Sequence, residues 1–355
     1  MKGVVVGDYL LPTEILKRVF QGDGVENFID TVSTTDFIAK DRTEIRTVWR
    51  LLEQFGPSGV PLPNDLPTIA HDADVLAVQI CPVNKALMDQ CPKLKVILSA
   101  RGGLENIDLD EATNRGIAVI HTPHHNAQAV AEYTIGLIIS ETRNIARSHA
   151  AMKHGIWQEV YPNTNYIPEL NELKIGIVGY GQTGRLVARK LSGFDTEIYV
   201  ADPFVPAKEI EKDGYKVVSL EELITIVDII TLHVRLTPAT KGMFGFKEFS
   251  MLKPGAYIIN TARSGLIDED AMLSALSESR IGGIALDVFD KEPLPFDSQL
   301  LSFDQLTLTN HRAGDTRNSY WNSPNLMREQ FMILQTGGRP RFIANPEVLK
   351  NKKMG

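Results

Sequence analysis

Gly179-Tyr180-Gly181-Gln182-Thr183-Gly184 constrains this chain more than any other stretch, because of what flanks it. The apolar run 175–178 before it reads as a buried strand, and 186–191 after it reads as a helix. A second strand, 197–201, leads into Asp202, eighteen residues beyond Gly184. With 27 glycines in the chain the string alone is weak, so the context has to carry it. Strand, glycine turn, helix and an acid at the end of the next strand make a βαβ unit that receives a dinucleotide. Gly179, Gly181 and Gly184 allow a tight turn and close backbone approach to a pyrophosphate. Gln182 and Thr183 lie in the turn that opens a helix from Arg185, whose amino terminus supplies unpaired N–H donors, and Asp202 is able to bind both ribose hydroxyls. Pro203-Phe204-Val205 follow, with no arginine to receive a 2′-phosphate, so NAD is preferred to NADP.

The rest of the chain repeats that alternation. Apolar segments at 175–178, 197–201, 228–234, 256–260, 284–288 and 306–308 are separated by helical patterns at 186–191, 220–226, 247–252 and 269–277, a doubly wound parallel α/β sheet in sequence form. Ser219 with Glu222 suggests a capping box, and Lys253-Pro254-Gly255 a sharp stop. Ahead of it, strands are expected at 4–6, 74–80, 95–100 and 118–120, and helices at 13–20, 83–90 and 108–115. The proline-rich segment 56–67 is expected to be a loop. These first ~120 residues read as one α/β unit. Between the two halves, 127–154 carries apolar residues at helical spacing with no proline and stops at Gly155, which predicts one long helix able to bridge two domains; 163–168 reads as a loop. The length, 355 residues, is in keeping with two domains.

Charge and cysteine use narrow the setting. Lys+Arg 37 against Asp+Glu 44 gives a net charge of −7, and no basic run exceeds Asn351-Lys352-Lys353, which argues against nucleic acid and membrane partners. Cys81 and Cys91 have neither a CxxC spacing nor a histidine cluster, so no metal site is expected and a reducing, cytoplasmic setting is. The amino terminus has no stretch resembling an export signal.

A dinucleotide needs an acid–base group beside it to transform a substrate. Three ionisable residues follow three of the later strands: Arg263 after 257–262, Glu292 after 284–289 and His311 after 306–310. Arginine holds a carboxylate through two parallel bonds, histidine takes a hydroxyl proton as hydride leaves, and a carboxylate stabilises the imidazolium.

These residues resemble the D-isomer-specific 2-hydroxyacid dehydrogenases over most of the chain. The resemblance runs through Gly116-Ile117-Ala118-Val119, Asn126-Ala127-Gln128-Ala129-Val130-Ala131-Glu132, the Gly179 fingerprint, Leu232-His233-Val234-Arg235-Leu236-Thr237, Asn260-Thr261-Ala262-Arg263-Ser264-Gly265, Ala285-Leu286-Asp287-Val288-Phe289-Asp290-Lys291-Glu292-Pro293, His311 and Asn345-Pro346-Glu347-Val348. It implies that Arg263, Glu292 and His311 are catalytic and that Asp287 lies near the nicotinamide carboxamide. It also implies that His233, Val234, Thr240, Thr261 and Gly314 border the cofactor. The loop with Arg101, Gly102 and Gly103 would receive the substrate carboxylate. The family's topology implies a substrate domain from 1–122 and 313–355, an inserted NAD domain at 123–312, a cleft that closes between them, and a homodimer through the inserted domain. No additional regulatory domain is expected, and Glu292, where the related formate dehydrogenases carry glutamine, disfavours formate.

Four departures from the family pattern bear on substrate: His124-His125 after Thr122-Pro123, Arg235 in place of proline, Arg312 and Arg317 around the run after His311, and Arg101 before the glycine pair. Cations near a presumed site in an acidic protein suggest a second anion or several hydroxyls, although rim pairing with acids would also account for them. The expected activity is therefore NAD-dependent interconversion of a D-2-hydroxyacid, a sugar acid or phosphorylated glycerate-like acid, with its 2-oxoacid. Alternatives are a glyoxylate or hydroxypyruvate reductase and an NADH-sensing corepressor or scaffold.

Overall fold

A computed structural model describes residues 1–37, 40–165 and 167–349, so the Asn351-Lys352-Lys353 run and Tyr166 of the 163–168 loop lie outside the described residues. The chain divides into two compact units, one of residues 1–126 and 316–355, the other of 127–315. The breaks expected after 122 and 312 thus fall after Asn126 and Asp315.

The first unit holds a five-stranded parallel sheet: β1 (Lys2–Gly7), β2 (Thr31–Asp36), β3 (Val75–Val78), β4 (Val96–Ser99) and β5 (Ala118–Ile120), in the order β2-β1-β3-β4-β5. Val4, Val5 and Val6, like Val75 to Val78, are buried on both faces, as strands covered by helices on each side must be. β2 was not legible in the sequence. It reads Thr-Val-Ser-Thr-Thr-Asp and is largely exposed at the sheet edge, so no apolar pattern marks it. The helix Arg42–Phe55 was likewise unforeseen; Asp41 caps it, accepting from the N–H groups of Thr43 and Glu44 at 2.8 and 2.9 Å.

Two expectations need correction here. The loop 56–67 gives way to a helix, Leu66–Ala70, with Pro67 in its first turn, where a missing N–H costs nothing. The helix at 13–20 is one α turn, Thr13–Leu16, tightening into the 3₁₀ turn Lys17–Phe20. The carboxyl-terminal segment joins this unit through packing and amides. Phe331 of the helix Ser323–Gln335 meets Phe20 edge-on at 6.3 Å, and Asn345 accepts from the Val119 N–H and donates to the Ile117 carbonyl, both at 2.9 Å.

In the second unit seven parallel strands, β6 (Lys174–Val178), β7 (Glu197–Ala201), β8 (Lys216–Val217), β9 (Ile229–Leu232), β10 (Tyr257–Asn260), β11 (Gly283–Leu286) and β12 (Leu306–Leu308), run in the order β12-β11-β10-β9-β6-β7-β8. Strand alternation divides the apolar residues between two cores. Ile175, Ile177, Ile229 and Ile259 face one helical layer, while Val178, Ile230, Ile258 and Ile284 face the other. Ser219 accepts from the Glu222 N–H at 3.1 Å, one half of the expected capping box.

The single helix expected over 127–154 is broken into Ala127–Thr142 and Ile145–Lys153. Asn144 takes a left-handed φ of 58° between them, and side-chain amides hold the break: Asn144 Nδ2 donates to Asn163 Oδ1 at 2.7 Å, and Asn163 Nδ2 to the Thr142 carbonyl at 2.9 Å. Asparagine tolerates that conformation, and its long-range partner is invisible to periodicity. Gly155, at φ 74°, ends the second piece as expected.

Candidate active site

Every expected cofactor and catalytic residue of the second unit lies beyond the carboxyl end of one of its parallel strands, and strand order reverses between β9 and β6, the place where such sheets take a ligand. The glycine turn follows β6. Gly179 has a φ of 94°, and a Cβ there would press on Val234 and the His233 carbonyl carbon, so these two residues back the turn. A Cβ on Gly184 would overlap the Gly179 carbonyl oxygen. Gly181 differs, because a Cβ there would meet no protein atom within 4 Å. It precedes the helix Gln182–Leu191, whose start has no side-chain cap and whose first bond is Arg185 N–H to the Gly181 carbonyl. Open space before unpaired helix N–H groups fits a pyrophosphate.

Asp202, beyond β7, already accepts three backbone bonds: Tyr180 N–H at 2.6 Å, Phe204 N–H at 2.8 Å and Val205 N–H at 3.0 Å. Of about four lone-pair sites on a carboxylate, about one remains for a ribose hydroxyl unless a loop bond yields. The residue therefore braces the glycine turn as well. Asp202→Ala is expected to weaken NAD more than NADP, since NADP is also relieved of repulsion; equal losses measured by NADH and NADPH fluorescence titration would leave only the bracing role.

The remaining expected cofactor residues act on the architecture. His233 Nε2 pairs with Thr231 Oγ1 at 2.9 Å, and burial pushes its pKa down to about 3, so the ring is neutral. Thr240 ties a turn, accepting from Thr237 N–H at 2.8 Å and donating to the Arg235 carbonyl at 2.6 Å. Thr261 Oγ1 meets Thr134 Oγ1 of the helix Ala127–Thr142 at 2.9 Å, and Gly314 is half-buried in the loop after His311.

Arg263, Glu292 and His311 follow the adjacent strands β10, β11 and β12. Asn260 shapes the first loop, Oδ1 accepting from Ala262 N–H at 3.0 Å and Nδ2 donating to the Arg263 carbonyl at 2.8 Å. His311 Nδ1 faces both carboxylate oxygens of Glu292, at 3.1 and 2.9 Å, and Phe289 N–H donates to Glu292 Oε1 at 3.1 Å. The Glu292 hydrogen bond raises the His311 pKa against the opposing effect of burial. Burial pushes the Glu292 carboxyl up, but His311, the Phe289 N–H and the Arg263 charge together hold it below its ordinary range. Both shifts favour the imidazolium–carboxylate form of the pair.

Asp287 does more than its motif suggested. It is fully buried, and its oxygens accept from Thr309 Oγ1 at 2.6 Å, Arg312 N–H at 2.9 Å and Ala313 N–H at 2.8 Å. It thereby clamps the loop on which His311 stands at a left-handed φ of 54°, a conformation that costs a non-glycine residue on the order of 1 kcal/mol or more. Asn260 and Thr309 were missed by the sequence reading, since neither changes charge and their role depends on loops that meet only in the fold.

In the first unit Arg101, Gly102 and Gly103 follow β4. Arg101 and Gly102 direct their carbonyls at Thr122 N–H (2.8 Å) and the His121 ring (2.9 Å), while among the described residues the Gly102 and Gly103 N–H groups have no acceptor. Of the other unusual cations, Arg312 pairs with Asp315 at 2.7 Å, which favours the rim reading for it, whereas Arg317 stacks on Trp321, an aromatic partner and not an acid.

A doubly wound sheet with an uncapped glycine turn and a hydrogen-bonded histidine–glutamate pair at its carboxyl edge defines a dinucleotide-binding domain of the oxidoreductase type. Residues 135–313 match the model of the D-isomer specific 2-hydroxyacid dehydrogenase, NAD binding domain. The chain is 35% identical over 293 residues to a D-3-phosphoglycerate dehydrogenase of Methanocaldococcus jannaschii, covering 80% of this chain and 54% of that protein. It is 36% identical over 272 residues to a glyoxylate reductase of Thermofilum pendens, covering 76% and 80%. A D-isomer specific 2-hydroxyacid dehydrogenase of Lactobacillus delbrueckii ssp. bulgaricus, solved in its NAD complexed form, shares the fold with a TM-score of 0.75 at 21% identity, covering 97% of this chain and 100% of that one. The chain belongs to the D-isomer specific 2-hydroxyacid dehydrogenase family, and its cofactor is NAD. It spans about half the length of the phosphoglycerate dehydrogenases it matches.

Proposed function

We propose that this protein interconverts a D-2-hydroxyacid and its 2-oxoacid. The observation that carries the reading is the His311–Glu292 pair on strands next to Arg263, at the edge of the sheet that also bears the glycine turn. Reduction of a 2-oxoacid requires a hydride at C2 and a proton at O2. Bound NADH supplies the hydride, and NAD⁺ accepts it in the reverse direction. His311 turns Nδ1 to Glu292, which leaves Nε2 to give the proton to O2 or to take it back. Arg263 keeps one N–H on the Ala262 carbonyl at 2.7 Å and has the rest of its guanidinium for the substrate's carboxylate. Asp287 keeps His311 in place.

The test is NADH oxidation with a panel of glyoxylate, hydroxypyruvate, phosphohydroxypyruvate and oxaloacetate. Turnover of at least one is expected; tight NADH binding with turnover of none would make the protein a sensor or scaffold instead. The acid–base pair has its own signature. Reduction needs protonated His311, so kcat/KM is flat below its pKa and falls above it. Because Glu292 raises that pKa, Glu292→Gln should move the falling limb to lower pH, and a limb that stays put would separate the two residues.

We also infer a homodimer through the second unit. Ile145, Met152, Trp157 and Val160 are exposed in and after the helix Ile145–Lys153, with Trp157 at 78% and Val160 at 72%, an exposed apolar run of the kind that marks an interaction surface. Light scattering at micromolar concentration decides it. Cys81 and Cys91 are free thiols, which supports a cytoplasmic setting, and among the described residues no helix is long and apolar enough to cross a membrane.

A further inference from the structure

Arg263 ends in a long, exposed side chain, so where its guanidinium can go is set by where its main chain is held. The loop that carries it supplies little support of its own, since Ala262 before it has no polar side chain and Ser264 and Gly265 after it are small. The far end of that loop is held by main chain, the Gly265 carbonyl accepting from Gly242 N–H at 2.8 Å and the Leu266 carbonyl from Phe244 N–H at 3.1 Å. The near end is held by Asn260. This residue closes β10, with its main chain in register with Leu232 of β9 on one side and Leu286 of β11 on the other. Its side chain is fully buried, and both ends of the amide are spent on the loop: Oδ1 accepts from Ala262 N–H at 3.0 Å, and Nδ2 donates to the Arg263 carbonyl at 2.8 Å. That carbonyl also accepts from Leu266 N–H, at 3.3 Å, a longer and weaker bond.

We propose that Asn260 is a positioning residue for the reaction: its amide passes the rigidity of the sheet to the main chain at Arg263 and so aims the guanidinium at the substrate's carboxylate. The chemistry of the loop selects asparagine. The chain presents an N–H two residues on and a carbonyl three residues on, and a planar amide offers an acceptor and a donor at a fixed separation. Aspartate accepts only, and would set a buried negative charge against the Arg263 carbonyl. The shorter serine hydroxyl reproduces the bond to Ala262 N–H more weakly. The Asn260 carbonyl serves a further partner, accepting from Asp287 N–H at 3.1 Å, and that bond does not depend on the side chain. Loss of the amide therefore loosens Arg263 and leaves the Asp287 clamp on the His311 loop in place. The proposal rests on the 2-hydroxyacid dehydrogenase reading and adds to it the residue that holds the substrate-binding arginine.

The test is a double-mutant cycle on kcat/KM for the best 2-oxoacid of the panel, with NADH affinity read in the same variants. Asn260→Ala should lower kcat/KM about tenfold to a hundredfold, the loss expected when a substrate-holding group is displaced by about 1 Å, and Asn260→Ser should lower it less. NADH affinity should change by less than about twofold, and in an Arg263→Ala background Asn260→Ala should cost no more than about twofold in kcat/KM, because the side chain it positions is already gone. Equal losses in the two backgrounds, a kcat/KM unchanged by Asn260→Ala, or NADH affinity falling as far as kcat/KM overturns the assignment and leaves the dehydrogenase reading standing. Should Asn260→Ala not fold, Asn260→Ser carries the same cycle. If no 2-oxoacid is turned over, the dehydrogenase reading falls, and titration of the NADH complex with oxamate, an unreactive mimic of a 2-oxoacid, reads Asn260 separately. Oxamate binding that weakens in both Asn260→Ser and Arg263→Ala supports the assignment; binding unchanged in either variant, or no binding to the parent, overturns it.

Discussion

Replacing His311 by alanine is expected to lower kcat for reduction by about 10²–10⁴-fold, the usual worth of a positioned acid–base group, and to do so in both directions. The proton at O2 then has to come from water, because Glu292 is held below its ordinary pKa and carries no proton near neutral pH. NADH affinity should change little, since the glycine turn belongs to β6 and His311 to β12, four strands away in the sheet order. Stopped-flow reduction and NADH fluorescence read the two quantities separately. A variant that loses both together would mean that His311 supports the loop 309–313 and not the chemistry. Asp287, which holds that loop through three bonds, is the residue from which such a structural effect is expected.

The glycine turn allows a second large effect to be divided between folding and binding. Gly181→Ala adds a methyl group that meets no protein atom within 4 Å, and its φ of −75° suits alanine, so thermal stability should hardly move. The same methyl projects where a pyrophosphate has to approach the helix start, so NADH affinity should fall about tenfold to a hundredfold, the range expected of overpacking by 1–3 kcal/mol. Gly184→Ala overlaps a backbone oxygen and should lower both affinity and Tm. Differential scanning calorimetry with and without NADH reads both variants. Gly181→Ala binding as tightly as the parent would remove the pyrophosphate from that turn.

Periodicity and motif context carried six of the seven strands of the second unit, because those are short apolar runs largely buried, whereas the partly exposed edge strand β8 and the helix Ala207–Lys212 before it carry no such mark. The first unit was less legible. β2 at the sheet edge has no apolar face to reveal it, and the helix Arg42–Phe55 carries its apolar positions among charges. Pro67 reads as a loop residue in the sequence because proline marks both loops and first turns. At Asn144 the sequence continued a helix that the fold interrupts, since the amide of Asn163, nineteen residues on, settles the matter.

What the chain's sequence determined by itself is the kind of chemistry: a glycine turn between strand and helix, an acid after the next strand, and a cation, a carboxylate and an imidazole after three later strands. Those features are local, and parallel strand order brings them to one edge without further information. Only the tertiary structure decided the state of each group. That Glu292 meets Nδ1 of His311, that Asp287 is spent on the loop behind it, that Asp202 already accepts three N–H groups, and that Arg101 keeps a buried donor without an acceptor are properties of pairs distant in sequence. Hydrogen bonding and desolvation act over a few ångströms in space, and no spacing along the chain encodes them.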